Sequence, residues 1–254
     1  MSDPNSQFQA PPPPIIGTET PAGPTMSTPE TLTGIFFEPG RVFEALRVRP
    51  RFLVAAVVML VLTLSVTAVL FMRVDMGEFI RQKMERSPRA AQQTPEQREM
   101  GVKFAKIIGA VAVPLSVPIT LAAGAALYLL GVMAFGGSIS YKGSLAVWAY
   151  SSLPPAVLGT VVAICVLFLK TADSVDPEHL LFTNPGAFMG EGSSPILTAI
   201  LTQFDLLKFY GLFLAALGLR KVARMSSGSA WGVVISFWII GIVLRVASAA
   251  LFGS

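Results

Sequence analysis

Apolar residues fall in five long blocks, each set off by polar or charged residues. The first block, 52–72, is 21 residues without a charge. As an α-helix it spans about 30 Å, the thickness of a bilayer's hydrocarbon core. The second block, 107–135, is longer than a bilayer requires, so it must tilt, bend or project. The third is 145–169. The fourth, about 200–219, carries Asp205 and Lys208, and the fifth, 230–252, carries Arg245. No block alternates with a period of two, as a barrel strand would, and lipid leaves the helix as the way to satisfy the backbone. The pattern predicts an all-α polytopic membrane helix bundle with five transmembrane helices over 52–252.

The polar stretches sort into three kinds. Residues 1–30 hold eight of the 19 prolines and no Lys or Arg. They read as a disordered, proline-rich tail and lack the basic and apolar regions of a signal peptide. Residues 31–51 read as an interfacial amphipathic segment. Thr28-Pro29 marks a helix start, Pro39 restarts the helix, and Val42, Phe43 and Leu46 share one face while Arg47, Arg49 and Arg51 lead into the first span. The loop 73–106 carries eight basic and five acidic residues. Its Thr94-Pro95-Glu96-Gln97 predicts a capped helix that starts in water and continues into span two.

Composition sharpens the class. Of 254 residues, 53% are hydrophobic and 13% charged, against about 25% charged in an ordinary soluble domain, and mean hydropathy is +0.64. One cysteine, Cys165, excludes an intramolecular disulfide, and one histidine, His179, excludes a multi-histidine metal site. The net charge of +4 is spread among loops, which is not the footprint of a nucleic-acid binder. No GxSxG, HExxH or P-loop motif is present, and nothing in the sequence implies a catalytic residue, a metal or a cofactor. Membrane lipid is the expected contact, with a protein partner or a second copy of the chain as the other candidates. Counts of Lys and Arg nearly tie between the two sides. The short basic loop Arg220-Lys221-Val222-Ala223-Arg224 tips the N-terminus toward the cytoplasm.

Three sets of residues could carry function. Asp205 and Lys208 lie on one helix face, and helical rise places Asp205 within about 3 Å of the depth of Arg245. Charges at that depth are costly unless paired or wetted, so the three predict a buried cluster: either an ion pair fixing helix register or a polar cavity for an ion, lipid headgroup or small solute. Pro114 and Pro118 predict a kink in span two. Pro154 and Pro155 predict one in span three, with Ser151 and Ser152 bonding the freed carbonyls. Small residues recur at four-residue spacing, Gly211 with Ala215 and Gly228 with Gly232 and Ser236, and suit close helix packing.

Several segments also look familiar as a set. Residues 137–154 (GSISYKGSLAVWAYSSLP) include Tyr141, Tyr150, Leu153 and Pro154. Residues 205–219 (DLLKFYGLFLAALGL) include Asp205 and Gly218, and 37–43 (FEPGRVF) precedes the first span. Together they resemble the Yip1 domain family across about 30–252, and the Ala/Val/Gly/Pro-rich texture is similar to the prokaryotic branch. The resemblance implies five spans, a cytoplasmic N-terminus and, for the prokaryotic branch, residence in the cytoplasmic membrane. Eukaryotic members act in vesicle trafficking and bind small GTPases of the Rab class. That binding does not carry over, because the N-terminal tail here has no matching motif. The expected function is a non-enzymatic membrane scaffold or partner-binding protein, with membrane organisation or trafficking as its setting. The alternative is a transporter or channel-like conduit built on Asp205, Lys208 and Arg245.

Overall fold

The computed structural model describes residues 26–85, 93–171, 175–177, 180–190 and 192–252. The predicted tail lies outside them up to residue 25, whereas residues 27–30 belong to a helix start. Ser27 caps α1 (Thr28–Phe37): its hydroxyl accepts from the Glu30 amide and the Glu30 carboxylate accepts from the Ser27 amide. The cap therefore falls one residue before Thr28, and Pro29 sits inside the first turn.

After α1 come α2 (Pro39–Val48), α3 (Leu53–Arg73), α4 (Met76–Glu85), α5 (Pro95–Ala134), α6 (Tyr141–Leu169), α7 (Pro195–Leu201), α8 (Leu206–Val222) and α9 (Ser227–Phe252). Four of these, α3, α5, α6 and α9, are long and apolar enough to cross a bilayer. The pair α7–α8, bent by 49°, makes a fifth span when counted as one. The Thr94 capping box opens α5 as the sequence predicts, and the 40-residue helix runs from the polar loop into the second span. Helix α4 was not foreseen. Asp75 Oδ1 starts it by accepting from the amides of Gly77 and Glu78, and it packs on the projecting part of α5.

Packing centres on α6, of whose most apolar window 28% is buried in protein, against 11% for α3. It touches α3, α5 and α8, and also α1 and α2. The apolar face of α1–α2, expected to lie among headgroups, is covered instead by the bundle: Ile35, Val42 and Phe43 are fully buried. They join Leu46, Ala149, Tyr150 and Leu153 in one core cluster. Buried in it, the Thr31 and Tyr150 hydroxyls hydrogen-bond at 3.1 Å. A second cluster joins Tyr128, Val147, Ala216, Leu219 and Val233 from α5, α6, α8 and α9.

Two glycines make these approaches possible. A Cβ on Gly218 would lie 2.8 Å from Phe43 and 2.9 Å from Val147, and one on Gly124 would lie 2.3 Å from the Trp148 ring. Helix α8 ends with Ala223 as its C-cap. Arg224 follows at φ 54°, the one non-glycine residue with positive φ among those described. Glycine normally fills that place, and a side chain there costs about 1–2 kcal/mol.

Both proline-bearing helices run unbroken, α5 through Pro114 and Pro118 and α6 through Pro154 and Pro155. The fourth span, by contrast, is interrupted, with a 49° bend between α7 and α8. The Ser151 hydroxyl donates to the Trp148 carbonyl at 3.1 Å, not to the Tyr150 and Ser151 carbonyls that the prolines release. Gly211 places α8 beside Pro155, with its Cβ position at an ordinary contact distance of 3.4 Å.

Candidate functional site

The fourth span breaks where its sequence turns polar, at Thr202-Gln203-Phe204-Asp205. Asp205 is the N-cap of α8 rather than a residue within a helix. Its Oδ1 accepts from the amides of Leu207 (2.8 Å) and Lys208 (3.0 Å), and its Oδ2 accepts from Thr183 Oγ1 (2.5 Å) and Asn184 Nδ2 (3.3 Å). Four donors satisfy this carboxylate without a cation. The Leu206 amide donates to the Thr183 carbonyl at 3.0 Å, so the 180–190 loop is stitched to the break. Lys208 Nζ donates to Gln203 Oε1 at 2.6 Å, across the bend. Phe204, Phe209 and Trp238 pack edge to face around it at 5.6–6.2 Å and fasten the break to α9.

Beside the break lies a cavity of about 590 Å³, within the range of small-ligand pockets. Thr63 and Val66 of α3, Pro155, Ala156 and Thr160 of α6, Asn184, Asp205 and Arg245 all reach it. The structure thus brings Asp205 and Arg245 to one space, as their depths suggested, but does not pair them. Among the described residues no ion pair joins Arg245 to a carboxylate, and Arg245 is exposed at the protein surface. The expected buried ion pair is therefore replaced by an N-cap and a separate guanidinium. The reason is local: a carboxylate at a helix start finds amides nearer than any cation. Pro155 of the α6 proline pair, with Ala156 beside it, faces this cavity.

The remaining candidates divide. Ala215 is buried, whereas Gly228 and Ser236 lie exposed on α9. Gly232 abuts Phe135, 2.5 Å from its Cβ position. Tyr141 donates to the Ala122 carbonyl at 3.1 Å, and Tyr150, Leu153 and Gly218 belong to the core just described. Thr183, Asn184 and Gln203 escaped the sequence reading. Asn184-Pro185 is a turn signal, and an Asp before a fresh apolar run is an N-cap signal; together they mark the break. Among the described residues no group of three or more His, Cys, Asp or Glu could hold a metal. His179 lies outside the described residues.

The core explains why the segments singled out in the sequence go together. Phe43, Tyr150 and Gly218 come from three of them and meet where α2, α6 and α8 converge. A family model for the Yip1 domain matches residues 33–248, most of the chain. The chain belongs to the Yip1 family. No curated protein and no solved structure matches it. Within the Yip1 match lie the core that docks α1–α2, the broken fourth span and the cavity beside it. The tail before residue 26 and the start of α1 lie outside.

Proposed function

We propose that this Yip1-family chain is a non-enzymatic membrane scaffold whose docked N-terminal hairpin is the fixed platform for a protein partner. One observation carries the reading: α1 and α2 pack on α6 and α8 as part of the core. A segment so fixed presents its outer face in one geometry, which lowers the ordering cost of binding. That outer face includes Phe37 at the α1–α2 corner, 84% exposed. The reading places this end in the cytoplasm of a prokaryotic cell, at its inner membrane. Cysteines at Ser227 and Ser193 then label from opposite sides.

A photo-crosslinking residue at Phe37, in native membranes, tests the scaffold. A discrete protein adduct at Phe37 and none at Leu169, at the opposite end of α6, is the expected result. Equal adducts at both sites, or none at either, count against it.

The cavity beside the broken span favours a second reading, a conduit or binding site for an ion, lipid headgroup or small solute. Broken helices at membrane depth are how many transporters expose polar groups to a substrate, and Asp205 and Arg245 share this cavity. Solute flux in liposomes containing the purified protein, lost in Arg245→Ala, is the result that would put this reading first.

A further inference from the structure

At the end of the bundle occupied by α1 and α2, a concavity of about 370 Å³ opens between α2 and the end of α8. Its lining is Glu44, Arg47, Arg220, Lys221, Arg224 and Met225. Glu44 is the one acid among them, and it is taken by Lys221. Three guanidiniums remain, Arg47, Arg220 and Arg224, none with an ion-pair partner among the described residues. Like charges gathered in one hollow repel each other unless an anion sits between them.

Cations at a helix C-terminus and at the edge of a span have ordinary reasons to be there. Those reasons do not account for Arg224. It occupies the left-handed position after the α8 C-cap, at φ 54°, where glycine would relieve the backbone and leave the helix end equally well closed. Backbone strain held at a charged concavity points from the outlier to a function for its side chain. The planar guanidinium fork matches phosphate oxygens two at a time. The level fits as well: Arg220 follows directly on the apolar run of α8 that ends at Leu219, the depth of lipid headgroups, and basic pockets between helices are known to hold such groups.

We propose that Arg47, Arg220 and Arg224 form a binding site for a phosphate group, borne by an anionic lipid headgroup or by free phosphate. The site is independent of the scaffold reading and of the cavity at the broken span.

The test uses the full chain in an uncharged detergent, titrated calorimetrically with dihexanoyl phosphatidylglycerol, dihexanoyl phosphatidylcholine and inorganic phosphate. The anionic lipid should bind at least about tenfold tighter than the zwitterionic one. Arg224→Gly should weaken it about tenfold, and Arg47→Gln with Arg220→Gln should do the same. Because glycine relieves the backbone, Arg224→Gly should melt at or above the parent temperature without ligand, so its lost binding cannot be ascribed to misfolding. Arginine-dependent binding of the lipid but not of inorganic phosphate assigns the headgroup as the source. Arginine-dependent binding of inorganic phosphate assigns the free anion. Equal binding of the two lipids with no phosphate binding overturns the site, as does full affinity retained in Arg224→Gly.

Discussion

The two ends of this bundle are built from the same helices and solve opposite problems. At the α1–α2 end, six helices meet with side chains interlocked: Phe43 fills the space that Gly218 leaves, and Tyr150 reaches Thr31. At the other end one small cluster of Val74, Leu167 and Val175 joins α3 to α6, and the fourth span breaks beside an open cavity. The difference lies in what covers the helices. The hairpin α1–α2 plugs one end, whereas at the other a hydrogen-bonded loop is tied to Asp205 and leaves space beneath it. Apolar packing therefore dominates the first end, whereas at the second a polar network around Asp205 is added to the smaller apolar contacts.

Four experiments bear on this contrast. Phe43→Ala should cost most, about 3–5 kcal/mol by the usual penalty for emptying a packed aromatic site, read as a fall in melting temperature in detergent. Ala156→Leu, at the cavity, should leave that temperature nearly unchanged because the added atoms enter open space. Comparable losses in both would erase the distinction between the ends. Next, Asp205→Ala removes the α8 cap and the anchor of Thr183 and Asn184, with an expected loss of about 1–3 kcal/mol. Arg245→Ala should cost under about 0.5 kcal/mol. The charge exchange Asp205→Arg with Arg245→Asp should rescue nothing, and recovery on exchange would instead indicate a direct ion pair.

Water access comes third. An arginine with no ion-pair partner is tolerated at membrane depth where water reaches it. In a Cys165→Ser background, Ala156→Cys should therefore react with a membrane-impermeant thiol reagent faster than Ser152→Cys, which lies outside the cavity. Equal slow rates would mean a dry cavity, and protection by a solute would promote the conduit. The smallest effect belongs to Glu44. The hydrogen bond from Lys221 holds its carboxyl below the ordinary glutamate range, so the pair's stabilisation is present above that range and is lost as pH falls through the lowered value. The pair is half-exposed and worth at most about 1 kcal/mol. Glu44→Gln should slightly lower the melting temperature at pH 7 and converge with the parent in acid.

Much of the fold was legible because lipid simplifies the code: an apolar run of bilayer length has one structural outcome. Span one is offset by a single residue from its predicted bounds, and the Thr94 box placed the start of α5 by its capping chemistry. What could not be read was whether a polar residue within an apolar run sits in a helix or ends it. Asp205 looked like a charge inside a span because hydropathy averages over the break, although its two free lone-pair directions match two helix-start amides. Arg245 and Asp205 line one cavity without pairing, because a height read from helical rise says nothing of rotation about the helix. The role of α1–α2 was missed for a related reason. An amphipathic face shows that something apolar covers it, and lipid and protein are equally apolar.

The 40 residues of α5 extend about 60 Å. About 39 Å of this separates Leu121, the middle of its apolar run, from Pro95, so the projecting part is a long lever arm. Turning the helix about that point by about 10° swings the Pro95 tip by about 7 Å, more than one helical turn's rise. Bilayers of different thickness impose tilts of that order on long spans. A change of membrane thickness that tilted α5 would therefore move a polar helix end in water, with α4 carried along on its flank.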